Sequence, residues 1–355
     1  MQTRIKILVQ ILFFLFVTIT TKAQDTLNYD AMSLSDLMNI KIKVASVKGL
    51  SAAESPGIIT VITGEEVRAS GARDLMDVLE TVPGFDFGMD VEGVVGLGVR
   101  GNWAHEGKAL LLIDGQVMNE GLYSTLQFGN HYPLTNIKRI EIIRGPGSVI
   151  YGDYAEYTVI NIITQTPAEI NGVGASLIYG QMKESFARKG GTFCAGKAFR
   201  DFEFDIKGSY LEGNRSDDIY RDAFGYSYDL TSQSQLNNSF LNIGMRYKNL
   251  SIRAISDIYM NSSADEYQQI SDKPYIHKFN SYFTELKHQL EISDKYHLVT
   301  WLTFKQQSPW NVKSANEESH KFYDITNQRY GIAISFAFVW CKHAGKAPMI
   351  RPHAG

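Results

Sequence analysis

The chain predicts an α+β domain followed by antiparallel, membrane-spanning β-strands, about eight of them, forming part of a barrel. Three observations carry this fold class. The first part interleaves short β-branched runs with helical spacing and glycine turns. The later part changes to a period of two, apolar against polar. The connections in that later part alternate between tight and long.

The bulk numbers narrow the classes further. Across 355 residues, 35 basic side chains stand against 38 acidic ones, so nucleic acid is not an implied partner. Aromatics reach 12%, as in barrels with aromatic girdles. Two cysteines, Cys194 and Cys341, support neither a disulfide framework nor a zinc ribbon. No apolar run after position 24 approaches the ~20 residues of a spanning helix, so a membrane would be crossed with strands. Residues 1–23 read as an export signal: Arg4 and Lys6, an apolar run from Ile7 to Ile19, then Thr21-Lys22-Ala23 before Gln24. A retained anchor is the alternative. No cysteine flanks the cut, which excludes a lipoprotein.

The first domain is expected over 47–167. Ile58–Ile62 is β-branched and predicts a strand. Thr63-Gly64-Glu65-Glu66 has capping-box spacing and starts a helix. Leu75, Val78, Leu79 and Val82 space a second helix, which Pro83-Gly84 stops. Leu110–Ile113 is a buried strand ending in the Asp114-Gly115 turn, and Ile140–Ile143 and Val159–Ile163 add two more. Gly145 and Gly147 flank Pro146, and Gly101 follows Arg100. At both places the backbone can turn with positive φ.

The ordered series SPGIITVITGEEV, SGARDLMDVLETVPGF, GVRGNWAHEGKALLLIDG, NIKRIEIIRGPGSVIYG and VINIIT resembles the plug domain of TonB-dependent outer-membrane receptors from end to end. One departure is visible. Glu156-Tyr157-Thr158 stands where the family has a small residue before VINII. The resemblance implies that Arg100, Gly101, Arg144, Gly145 and Gly147 contact the barrel wall, the arginines meeting lumen carboxylates. Solvated surface arginines are the alternative. It also implies a TonB partner, which binds by strand augmentation to an extended segment near the mature N-terminus. Ile40, Lys41, Ile42, Lys43, Val44, Ala45 and Ser46 fit that segment, within an extension over 24–46. The same residues could instead be the first plug strand, and Asp25–Asp30 is a weaker candidate.

From 168 to 340 the strand period takes over. Candidate strands lie near 171–181, 189–199, 201–212, 238–247, 250–260, 280–292, 295–306 and 329–340. Leu286, Leu290 and Ile292 share one face, against Glu285, Lys287, Gln289 and Glu291 on the other. Tyr330, Ile332, Ile334, Phe336, Phe338 and Trp340 likewise face one way. Connections at Arg200-Asp201, Lys248-Asn249 and Ser293-Asp294 are tight, and those over 213–237, 261–279 and 307–328 are expected to be long loops. That segregation fits a membrane barrel and not a soluble sandwich. A plugged transporter closes with about 22 strands. The chain is therefore expected to be a truncated or frame-shifted piece of a longer receptor, with an aberrant tail over 341–355.

No catalytic set emerges. His105, His131, His277 and His288 lack ligand spacing and are expected in loops or on the surface. Gly96-x-Gly98 and Gly145-x-Gly147 lack the strand–helix context of a phosphate cradle. Asp217-Asp218 reads as a solvated acidic loop, with cation binding as the alternative. No enzyme activity, cofactor or metal is expected. The resemblance implies residence in the outer membrane, in contact with its lipid. It also implies energised uptake of a scarce solute, such as an iron–siderophore, haem, cobalamin or a similar metal chelate. In this class the plug apex meets the solute, here around Trp103, His105 and Tyr123. The alternative from another class is a barrel-anchored adhesive or binding protein without transport.

Overall fold

A computed structural model describes residues 58–145, 153–222, 224–266, 269–293, 296–313 and 326–338. All of them fall within one compact unit, Ser33–Gly355. The expected export signal, the 40–46 segment, Pro146, Gly147, Trp340 and the 341–355 tail lie outside the described residues.

The first domain begins with β1 (Ile58–Thr63), whose β-branched residues suit an extended backbone. Thr63 then closes a capping box with Glu66 and starts α1 (Gly64–Ala69). Asp74 caps α2 (Leu75–Leu79), accepting from the amides of Met76 and Asp77. This helix stops short of the expected Val82. The amides of Thr81 and Val82 bond instead to the carbonyls three residues back, a tightened last turn before Pro83. Leu75, Val78 and Leu79 pack with Ile140, Ile142, Leu111 and Ile160 in one core.

The main sheet runs β1–β7–β8–β5–β6, with β5 (Ala109–Ile113), β6 (Gln116–Val117), β7 (Ile137–Arg144) and β8 (Thr158–Thr164). Only β5 and β8 pair in parallel, Leu111 opposite Ile160. Its second face carries Leu110, Leu112, Ile143 and Val159, so both faces are covered. That explains why β5 reads as an unbroken apolar run rather than an alternation. The sequence expected four strands here. The hairpin partner β6 is a fifth, and a second sheet of β2 (Phe85–Met89), β3 (Val95–Val99) and β4 (Asn102–Trp103) was missed. Glycine at 88, 96 and 98 hides the strand signal there, because it has neither a branched side chain nor a strong extended preference.

After α3 (Pro167–Ile170) comes an eight-stranded antiparallel sheet in chain order. It consists of β9 (Gly172–Gln181), β10 (Phe186–Ala198), β11 (Phe202–Asn214), β14 (Gln235–Tyr247), β15 (Leu250–Glu266), β16 (Gln269–Ser293), β17 (Tyr296–Lys313) and β18 (Asn327–Phe338). A small hairpin, β12 (Ile219–Arg221) with β13 (Ser227–Asp229), sits in the first long connection. The sheet is open, with β9 and β18 at its edges. All eight expected wall strands are present.

Two expectations about the loops are corrected, and the first is that 307–313, expected in a loop, continues β17. In the second stretch, 261–279, the described residues are strand, since β15 and β16 stay paired out to Glu266 opposite Gln269. Its polar residues misled the reading because a hairpin standing clear of lipid needs no apolar face, so the amphipathic alternation fades while the backbone ladder continues. At 25 residues, β16 reaches roughly 80 Å, far beyond the 9–11 residues that suffice to span.

Side chains alternate as a barrel requires. Leu177 (92% exposed), Tyr210, Ile252, Tyr282, Leu286, Leu302 and Ile332 point outward. Asp205, Lys207, Asn238, Asn242, Asp257, Asn261 and His277 point inward and are buried against the first domain. Phe199, Phe202 and Tyr247 gather at the short-turn end, the position of an aromatic girdle.

Candidate functional site at the plug–wall boundary

The inner face of the sheet meets the first domain along a polar seam with three stations. At one end is the β5–β6 turn. Asp114 (φ 49°) and Gly115 (φ 88°) both take left-handed backbone, the two-residue hairpin turn that Asp-Gly favours. The turn aims the Asp114 carboxylate at the wall. Oδ1 accepts from the Thr164 amide at 3.0 Å and Oδ2 from the Thr164 hydroxyl at 2.7 Å. Oδ2 also accepts from Asn242 Nδ2 at 2.9 Å and Arg253 Nη1 at 3.0 Å. Lys207 Nζ donates to Thr164 Oγ1 and to Asp205 Oδ2 at 2.6 Å. Burial opposes ionisation of Asp114, but the Arg253 and Lys207 charges and the Thr164 hydrogen bonds outweigh it and hold the carboxyl below its usual range. Beside the turn, Gln116 Nε2 donates to Glu285 Oε2 at 3.0 Å.

The middle station is aromatic and ionic. His131 lies nearly parallel between Tyr132 and Tyr259, ring centroids 3.7 Å and 4.3 Å away. Its Nε2 is 2.9 Å from Asp257 Oδ1, which also accepts from Asn238. The Tyr259 hydroxyl points at the carbonyls of Phe128 and Gly129, each at 3.0 Å. Burial first, then the Asp257 charge and Tyr259, push the Tyr132 phenol well above its ordinary value.

The third station is the apex of the β2–β3 hairpin. Arg215 donates to the Gly93 carbonyl at 2.5 Å, Asn261 to the same oxygen at 3.3 Å, and His277 Nε2 lies 3.1 Å from Glu92 Oε2. Nearby, Trp310 occupies a bulge in β17 with φ 52° and packs edge-on to Phe279. His277 Nδ1, Trp310 Nε1 and Asn261 Oδ1 are buried without a hydrogen-bond partner among the described residues, so donor and acceptor capacity remains unused beside the apex.

The sequence-singled residues fall in different places. Arg100 (φ 52°) and Gly101 (φ 76°) form the β3–β4 hairpin turn. Arg100 Nη2 donates to the Arg144 carbonyl at 2.9 Å, and Arg144 Nη1 to the Pro83 carbonyl at 3.3 Å, so the two arginines lie together on first-domain backbone. Gly145 follows with φ 156°. Trp103 is 47% exposed, its ring over Gly88 and Gly96, where any Cβ would approach within 3.0 Å. His105 is buried with Nε2 3.0 Å from Asp90 Oδ2. Tyr123 is 42% exposed and edge-on to Trp310.

The histidine expectation needs correcting. His105, His131 and His277 are buried, each with Nε2 against a carboxylate, and only His288 of the four is exposed. Their partners stand 15, 126 and 185 positions away, where sequence spacing carries no signal. The wall partners Asn242, Arg253, Asp257 and Tyr259 were missed too. Their signal was the inward face of the alternation, which marks them as lumen-facing without naming what they meet.

An α+β stopper seated on the polar inner face of a lipid-facing strand sheet defines a plugged outer-membrane barrel. A family model described as the TonB-dependent receptor plug domain matches residues 51–156. The chain is similar to the vitamin B12 transporter BtuB of Vibrio vulnificus, 31% identical over 182 residues, 49% of this chain and 28% of that protein. It is also similar to the iron-regulated outer membrane virulence protein of Vibrio cholerae, 35% identical over 119 residues, 31% of this chain and 18% of that protein. Among solved structures, the unliganded ferric citrate transporter FecA superposes with TM-score 0.58 at 16% identity, over 82% of this chain and 45% of that one. A mutant of the ferric enterobactin receptor PfeA from Pseudomonas aeruginosa gives 0.54 at 16% identity, over 80% and 46%. At such identities these structures speak for the fold alone. Residues 51–156 thus match the plug domain of TonB-dependent outer-membrane receptors, and the chain spans less than half the length of the relatives and solved structures it is similar to.

Proposed function

We propose that this chain supplies the plug and the first wall strands of a receptor that imports a scarce solute across the outer membrane, energised by TonB. The observation that carries the reading is the polar plug–wall seam. Hydrogen bonds and ion pairs between Asp114, His131 and Glu92 and their wall partners can be exchanged for water when the plug is pulled, and can re-form afterwards. A continuous apolar weld would resist such a cycle. In this reading Ile40–Ser46 adds as a strand to TonB, so that backbone hydrogen bonds transmit the force. The turns carrying Arg100, Gly101, Arg144, Gly145 and Gly147 would meet wall carboxylates outside the described strands. Trp103, His105 and Tyr123 would line the approach of the solute.

The names of the relatives point to cobalamin or a ferric siderophore as the class of solute. The work comes from the partner, and no chemistry is done on the cargo. Deleting residues 40–46 and scoring growth on a panel of cobalamin and ferric-chelate sources tests this. Growth should fail on one source that the intact receptor supports, while surface binding of that source persists. Unchanged growth on every source would remove the TonB-driven reading and leave a surface-anchored binding protein.

A further inference from the structure

The plug–wall seam has apolar packing along its middle and a charged cavity at one end. In the middle, Phe240, Ile255 and Phe283 of the wall join the apolar core of the plug. At the short-turn end of the same strands lies a cavity of about 190 Å³. Glu203, Asp205, Arg246, Arg253 and Glu285 line it, with Pro167 on the plug side. Ionised groups of both signs need water or close pairing, since an unsolvated charge costs several kcal/mol. Yet this space is not filled. Gly244 keeps it open, because a Cβ there would lie 2.6 Å from Asp205 Oδ1 and 3.0 Å from Arg253 Nη2.

The β5–β6 turn reaches the cavity through two of its lining side chains, Arg253 and Glu285. Asp114 bonds Asn242 and Arg253 on β14 and β15, and Gln116 bonds Glu285 on β16. Arg253 and Glu285 also line the cavity, so the groups that hold the turn closed are the groups that would be bared if it lifted. The turn has a fallback when it lets go. Thr164 of the plug's own β8 supplies two further hydrogen bonds to the same carboxylate, so Asp114 stays partnered without the wall. The wall side is provided for as well, since Arg253 Nη2 lies 3.8 Å from Asp205 Oδ1.

We propose that the β5–β6 turn is the gate of a hydrophilic solute passage along β14–β16, with Asp114 and Gln116 as its two bars. The passage admits a polar solute carrying charge of either sign, since its lining offers both. This rests on the import reading for its purpose, but the gate can be tested without TonB.

The experiment places the receptor in the outer membrane of cells lacking TonB and uses vancomycin, a hydrophilic glycopeptide excluded by an intact outer membrane, as the probe. Asp114→Asn keeps the size of the side chain and removes its charge, and Asp114→Ala removes the group. Both should lower the vancomycin concentration that stops growth several-fold, at equal amounts of protease-resistant surface receptor. In the Asp114→Asn background, Gln116→Cys with Glu285→Cys is then bridged by a reducible bis-methanethiosulfonate, because these side chains meet at their tips. The bridge should restore resistance, and reductant should remove it. Cells as resistant as the parent with both Asp114 variants, or a leak that the bridge leaves unchanged, would overturn the gate. Failure of the import reading would show separately, as growth that survives deletion of 40–46.

Discussion

Removing the Asp257 carboxylate should loosen the plug at the middle station. His131 Nδ1 lies 2.6 Å from the Gln127 carbonyl oxygen, which can only accept, so that nitrogen carries a proton. Nε2 lies 2.9 Å from an Asp257 oxygen, so both ring nitrogens meet oxygen partners. The geometry is that of a buried imidazole–carboxylate pair, its ring stacked on two tyrosine rings. Asp257→Ala strands the imidazole and removes one of the two acceptors of Asn238, a loss of about 3–5 kcal/mol for a buried pair broken on one side. His131→Phe leaves the carboxylate with Asn238 and should cost a similar amount. The double variant His131→Phe/Asp257→Leu replaces both with apolar groups and should cost far less than the sum, a coupling of about 3 kcal/mol or more. The assay is the urea midpoint for plug release in isolated outer membranes, followed by trypsin cleavage within the first domain. An Asp257→Ala midpoint equal to the parent's, or single effects that simply add in the double variant, would refute the buried-pair argument.

Three other predictions use separate parts of the molecule. Because the Asp114 pKa is depressed in the folded protein, its contribution is fully present above the unfolded value of about 3.9 and is lost as pH falls through the lower folded value. Pepsin susceptibility of the plug should therefore rise as pH falls through that range, and Asp114→Asn should flatten that part of the profile. Thr63→Ala removes the side-chain half of the capping box at the start of α1, leaving the Thr63 amide bonded to Glu66, and should lower plug stability by about 1 kcal/mol, read as a shift in the same urea midpoint. Leu177→Arg places a cation on the lipid-facing side of β9 and should cost about 2–4 kcal/mol near the bilayer midplane, seen as lost heat-modifiable receptor on gels. The same change at a water-facing surface would be silent, so unaltered assembly would count against the membrane orientation of this sheet.

Most of the framework was legible one segment at a time. The β-branched run Ile58–Ile62, the Thr63-x-x-Glu66 cap, the Asp-Gly turn at 114–115 and the eight alternating stretches each announce themselves within a few residues. Where local signals weaken, the reading failed in a physically consistent way. Glycines hid β2 and β3, and polar residues beyond the lipid hid the outer part of the β15–β16 hairpin. At 309–310, a bulge turns Trp310 inward against Phe279, which a strict period of two cannot foresee.

The sequence alone indicated which wall residues face outward and which inward, because period and turn chemistry act over a few residues of chain. It did not reveal that Asp114 meets Arg253, that His131 is clamped by Asp257, or that Glu92 reaches His277. Those pairs are separated by 139, 126 and 185 positions and exist only once one domain docks inside the curve of the other. Their strength comes from burial, which lowers the local dielectric and removes competing water. Burial of that kind belongs to the packed tertiary structure and has no counterpart in the order of the residues.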